Sequence, residues 1–160
     1  MNYLNTSTDD IGTSIDDTEY NGSIPNNFFG SQKQLYRNIS INNLNRIKSI
    51  QSFGLLNKNW DSYNAEQPSY EAITKAITFS LWLSECNVEI FFVAPTPNGD
   101  ILIEIKGSNA SIEFIFSNID ADKVLAWCDG ELMSEAILND TTRNSYIKWL
   151  ICPNGSCPDF

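Results

Sequence analysis

A chain of 160 residues fits one domain of ordinary size, and its 42% hydrophobic and 12% aromatic content is enough to build a real core. Twenty acids against ten bases give a net charge of -10, which argues against phosphate-backbone binding as the main activity. The absence of histidine removes Ser-His-Asp and Cys-His sites, His-ligated metal centres and the commonest general base near neutrality.

Residues 1–33 are rich in Asn, Ser, Thr, Asp and Gly and hold no sustained apolar period. They read as an acidic flexible arm. Tyr3, Tyr20, Phe28 and Phe29 are spaced among Asp9, Asp10, Asp16, Asp17 and Glu19, with Lys33 the only base. Acid with spaced aromatics suits a segment that folds on binding, and equally an arm that packs on its own domain. The start MNYLNTSTDDIGTSIDD lacks the basic and apolar regions of a signal peptide, and no run approaches a membrane span, so a cytoplasmic protein is expected.

Residues 34–151 read as a single α+β domain. From Ser40, the residues Ile41, Leu44, Ile47, Ile50 or Gln51, and Leu55 recur at helical steps, with Ser40 as N-cap and Gly54 as stop. Next comes the loop NWDSYNAEQP, and then Ser69 caps a second helix that carries Ile73, Ala76 or Ile77, Ser80 and Leu83 and ends near Cys86. VEIFFVA at 88–94 predicts a buried strand, PTPNGD a turn, and DILIEIKG a strand with Ile101, Ile103 and Ile105 on one face. ASIEFIFS adds Ile112, Phe114 and Phe116, and KVLAWCDG adds Val124, Ala126 and Cys128. A four-stranded antiparallel meander is expected, with two N-terminal helices and one C-terminal helix packed on one face. Asp140 or Thr141 caps that last helix, which holds Tyr146, Ile147, Leu150 and Ile151 before Pro153. Residues 152–160 form a tail.

Cys86 and Cys128 read as small core residues. Cys152 and Cys157 sit five apart in CPNGSCPDF, a spacing open to a disulfide, a metal knuckle or a loose tail. With a single tight pair, a four-cysteine zinc site is not expected, and no cofactor is expected either.

The stretch NWDSYNAEQPSYEAITKAITFSLWL, followed by VAPTPNGDILIEI, resembles a group of small uncharacterised bacterial and phage proteins. In that group an Asn-Trp-Asp-Gly-Tyr-Gly-Ala-like loop precedes a helix and a Pro-Thr-Pro-(Asn/Asp)-Gly turn joins the first strands. The resemblance covers about residues 55–107, implies the helix-then-hairpin order and transfers no catalytic residue. Ser62 and Asn64 stand where glycine is usual, which implies a loop less flexible or differently oriented.

Two roles stand open for Trp60, Asp61 and Tyr63. Asp61 is either a catalytic carboxylate beside two aromatics, with Glu104 or Glu113 as partner, or an acceptor for backbone N–H groups that fixes the loop while Trp60 plugs a helix junction. The second is favoured.

Charge is unevenly distributed along the chain. Residues 31–84 hold six bases and three acids, whereas residues 85–140 hold eleven acids and two bases. The eleven are Glu85, Glu89, Asp100, Glu104, Glu113, Asp120, Asp122, Asp129, Glu131, Glu135 and Asp140. They fall on outward strand positions and turns, predicting an acidic sheet face. Asp100, Glu104, Glu113, Asp120, Asp122, Asp129 and Glu131, together with the arm aromatics, are the candidate binding residues. The expectation is a non-enzymatic protein that binds a basic, nucleic-acid-handling bacterial or phage protein, as an antitoxin, immunity or defence inhibitor does. The alternatives are a homo-oligomeric assembly subunit and a carboxylate-dependent hydrolase.

Overall fold

The computed structural model describes residues 39–151. The expected arm at 1–33 and the tail at 152–160 lie outside the described residues. Element order is α1 (Ile41–Phe53), α2 (Tyr70–Glu85), β1 (Phe92–Pro95), β2 (Ile101–Lys106), β3 (Ala110–Phe116), β4 (Lys123–Cys128), β5 (Glu131–Ile137) and α3 (Asp140–Ile151). The five strands form one antiparallel sheet in chain order. Among the described residues no helix is long and apolar enough to cross a membrane.

The N-caps of α1 and α2 follow the sequence reading. Ser40 Oγ accepts from Asn43 N at 3.1 Å and Ser69 Oγ accepts from Ala72 N at 3.0 Å, each satisfying a first-turn donor that the helix leaves open. α3 differs by one residue. Asn139, rather than Asp140 or Thr141, is the cap, its Oδ1 accepting from Thr141 N at 2.9 Å and Thr142 N at 3.0 Å. Thr142 Oγ1 accepts from Asn139 N at 2.8 Å in return, a reciprocal capping box.

Ile101, Ile103, Ile105, Ile112, Phe114, Phe116, Val124 and Ala126 line the inner sheet face, all buried as their period of two requires. Ile50 of α1, Ala76, Phe79 and Leu83 of α2, and Tyr146 and Ile147 of α3 join them in one core. Phe79 is the centre of the contact, its ring 4.5 Å from that of Phe114 and 5.2 Å from that of Phe116. All three helices therefore cover the same side of the sheet.

The sheet departs from the expected four strands in two places. The predicted strand at 88–94 is β1 at Phe92–Pro95. Val88 and Ile90 are buried ahead of it, yet their backbone is satisfied by a side chain: Asn43 Nδ2 donates to Val88 O at 2.9 Å, and Ile90 N donates to Asn43 Oδ1 at 2.8 Å. The second departure is β5, a strand absent from the sequence reading. It follows a two-residue turn in which Asp129 (φ 51°) and Gly130 (φ 84°) are both left-handed, the geometry that joins tightly paired strands.

The cysteines also divide differently. Cys86 is the residue that ends α2 and is exposed, so it is no core residue. Cys128 is buried, as expected, and is disulfide-bonded.

Candidate interaction surface

The NWDSYNAEQP loop is built from backbone recognition. Asp61 Oδ1 accepts from Tyr63 N at 2.7 Å and from Ala65 N at 3.1 Å. Asn59 Oδ1 accepts from Asn64 N at 2.7 Å, and Trp60 Nε1 donates to Glu66 O at 3.1 Å. Trp60 thus closes its own loop, while Tyr63 is 90% exposed. Ser62 and Asn64 have φ of 66° and 70°. Glycine enters that region without steric cost, so these two side chains hold at some strain the geometry a glycine would take freely.

The loop docks on the β1–β2 turn. Glu66 N donates to Pro97 O at 2.8 Å and Ser69 N to Gly99 O at 3.1 Å. Gly99 has φ 83°, and a Cβ there would meet Gln67 O at 2.7 Å. The two segments that carry the resemblance are therefore one interlocked unit, with the Asp61 carboxylate turned to backbone amides.

The eleven acids do not form one continuous face. Glu85 ends α2, Glu89 lies between α2 and β1, and Asp140 begins α3. Asp100, Asp120, Asp122, Asp129 and Glu131 occupy turns and strand starts. Asp122 is turned inward, accepting from Ser117 N at 2.9 Å and pairing with Lys75 Nζ at 3.3 Å. Burial works against the charged Lys75, but hydrogen bonds to Glu71 and Asp122 outweigh it and raise its pKa. This carboxylate holds a turn to a helix, and its charge is spent within the molecule.

Glu104, Glu113 and Glu135 remain on the outer face, in a row set by strand register. Phe92 pairs with Glu104, Glu104 with Glu113, Glu113 with Leu125 and Leu125 with Glu135. A second row runs through Ala94, Leu102, Ile115, Lys123 and Ile137, and a third through Lys106, Ser111, Trp127 and Leu132. The face is an acidic stripe bordered by apolar side chains, with Phe92 45%, Leu132 47% and Ile137 63% exposed. Among the described residues no element covers it.

Burial pushes the Glu113 carboxyl upward, Trp127 draws it back, and the neighbouring Glu104 charge adds a further rise; the net shift is up. The Trp127 indole N–H is buried without a well-formed hydrogen bond, near enough to Glu113 to favour its ionised form. A shallow groove of about 470 Å³ joins Glu113 and Trp127 to Lys106, Ser111, Asn109 and Asp129.

Among the described residues no group of three or more Cys, Asp or Glu side chains could hold a metal ion. Tyr3, Tyr20, Phe28 and Phe29 lie outside the described residues. The outer apolar partners of the stripe were missed as site residues because sequence alternation assigns them to strands without saying which sheet face stays bare. Compared with family models, curated proteins and solved structures, the chain matches none.

Proposed function

We propose that the protein acts by binding rather than catalysis, engaging a basic, nucleic-acid-handling protein and inhibiting or modulating it in the manner of an antitoxin, immunity or defence-related protein. The observation that carries this reading is the outer sheet face, which no element among the described residues covers and where Glu104, Glu113 and Glu135 run between apolar side chains. Such a surface attracts a cationic partner at long range and offers it apolar area to bury on contact. The net charge of -10 adds to the attraction, and a nucleic-acid-binding groove, built from Lys and Arg to neutralise phosphates, is a strongly basic surface. The turn acids Asp100, Asp120, Asp129 and Glu131 lie at the rim, where they steer approach more than they hold the complex. The carboxylate hydrolase reading loses its centre, because Asp61 is engaged by two backbone N–H groups.

The test is capture by the immobilised full chain from a nuclease-treated lysate of its source cells, repeated across a salt series. Retention of a basic protein that weakens steadily with salt supports the proposal; retention of none, or retention insensitive to salt, contradicts it. A second reading, assembly of like copies, is favoured by one feature: edge strand β5 leaves Leu132, Met133 and Ile137 exposed. Light scattering decides it, since a monomer at every concentration removes that reading.

A further inference from the structure

Cys128 closes β4, is buried, and is disulfide-bonded. The chain has four cysteines and Cys86 is free, so within the chain the partner of Cys128 is Cys152 or Cys157. The described residues bring the C-terminal end of α3 to the same place. α3 ends at Ile151, and the Leu150 side chain lies over the β2–β3 turn, where a Cβ on Gly107 would stand 3.2 Å from its Cδ1. That turn also holds the end of β4. Ala110 is the register partner of Cys128, Asp129 N donates to Asn109 O at 2.9 Å, and Asn109 Nδ2 stands 3.9 Å from Cys128 Sγ. Cys152 follows Leu150 by two residues, a reach of at most about 7 Å, and a disulfide joins Cα atoms about 4.5–7 Å apart. Cys157 reaches Cys128 only if the residues between it and Cys152 fold back.

A bond from Cys128 to Cys152 encloses β5 and α3 in one covalent loop, and this is a weakly packed part of the domain. β5 is an edge strand whose inward residues are Ser134 and Ala136, while its Leu132, Met133 and Ile137 are exposed. Small inward side chains remove little apolar area from water, so they hold the strand with little energy. A cross-link compensates by limiting the freedom of the unfolded segment.

We infer that Cys128 is bonded to Cys152 and that the bond is a redox-sensitive staple holding β5 and α3 on the sheet. Opening it takes two electrons from a dithiol reductant. Cys128 Sγ is shielded by burial, so one thiolate of the reductant attacks Cys152 Sγ; Cys128 leaves as a thiolate and takes the proton that the reductant gave up. The second thiol of the reductant, losing its proton, then attacks the mixed disulfide. Cys152 leaves and takes that proton, and the reductant departs as its own disulfide. In a reducing cytosol such a bond is kept open and in an oxidising compartment closed, so the stability of the domain follows its redox surroundings.

The experiment alkylates the folded full chain with N-ethylmaleimide, digests it with trypsin without reduction and reads the masses. Cleavage after Lys123, Arg143 and Lys148 places Cys128 on peptide 124–143 and the two tail cysteines on peptide 149–160. The expected product is these two peptides joined, with the alkyl group on Cys157. An alkylated Cys152 in that product, a bond between Cys128 cysteines of two copies, or alkylation of all four cysteines overturns the assignment. Urea unfolding with and without dithiothreitol tests the staple. Reduction should lower the midpoint of the wild type by about 1–2 M, as expected for a loop of this length. Cys152→Ser should begin at the lowered midpoint and ignore the reductant, whereas Cys157→Ser should behave as the wild type. The reduced wild type supplies the opened state even if Cys152→Ser does not fold. A midpoint that reduction leaves unchanged refutes the staple.

Discussion

Removing the Asp61 side chain should loosen the loop between α1 and α2 by a predictable amount. Its Oδ1 serves two backbone donors, Tyr63 N at 2.7 Å and Ala65 N at 3.1 Å. Hydrogen bonds to a charged acceptor contribute about 1.5–3 kcal/mol each, and the lower end applies where water can replace the acceptor. Tyr63 is 90% exposed, so its amide recovers a water, whereas Ala65 is 1% exposed and its amide does not. Asp61→Ala should therefore cost about 2–3 kcal/mol, most of it from the amide of Ala65. Asp61→Asn keeps an acceptor oxygen, loses the charge and should cost about 1 kcal/mol. Urea unfolding of the full chain, followed by tryptophan fluorescence and circular dichroism, reads the difference. With a slope near 2 kcal/mol per molar, the alanine variant should shift the midpoint down by about 1 M. An alanine variant within about 0.5 kcal/mol of the wild type would refute the structural role, as would an asparagine variant as unstable as the alanine one.

Asn43 is 2% exposed and ties α1 to Ser84 Oγ, Val88 O and Ile90 N, so Asn43→Ala should cost about 3–5 kcal/mol by leaving a buried carbonyl and amide without partners, measured by the same unfolding. Ser62→Gly and Asn64→Gly should each stabilise the protein, by up to about 1 kcal/mol, because φ of 66° and 70° strains a side-chain-bearing residue; a lower melting temperature in both variants contradicts this. Glu113 has a raised pKa in the folded protein, mainly from burial, so its contribution to stability is present below pH 4.5 and is lost as pH rises through its folded value. Glu113→Gln should consequently match the wild type in acid and exceed it in stability at neutral pH, and a difference that shrinks toward neutrality rules this out.

Much of the fold could be read from residue order, for identifiable reasons. The inward positions of β2 and β3 are large and apolar and those of β4 are all apolar, and Ser40 and Ser69 stand one residue ahead of their helices. β5 escaped because its inward residues are Ser134 and Ala136, too small and too polar to register as an apolar period. Ser134 faces inward to share a 2.6 Å hydrogen bond with the Tyr146 hydroxyl. A register shift beside Ala126 and Trp127 further blurs the alternation. The Asp129-Gly130 pair was the available signal for a strand beyond it. Asn43 gave no signal, since an asparagine on a helix reads as solvated until the 88–90 segment lies beside it.

The acidic surface was legible only in outline. Counting acids placed them on strands and turns, but Asp122 became internal once α2 carried Lys75 to it, a contact 47 positions apart in sequence. Glu104 and Glu113 became a pair only through strand register, which the turn at Ser108 and Asn109 sets.

The most direct test of the account reverses one charge on the face and compares it with one reversal at the rim. Glu113→Lys stands opposite Glu104 and so keeps a favourable cross-strand pair, while Asp120→Lys alters an exposed turn. With the basic protein captured by the wild-type chain as ligand, calorimetry should show binding lost in Glu113→Lys and weakened only slightly in Asp120→Lys. Unchanged binding by Glu113→Lys, or loss in Asp120→Lys alone, would contradict the assignment of the outer sheet face as the binding surface.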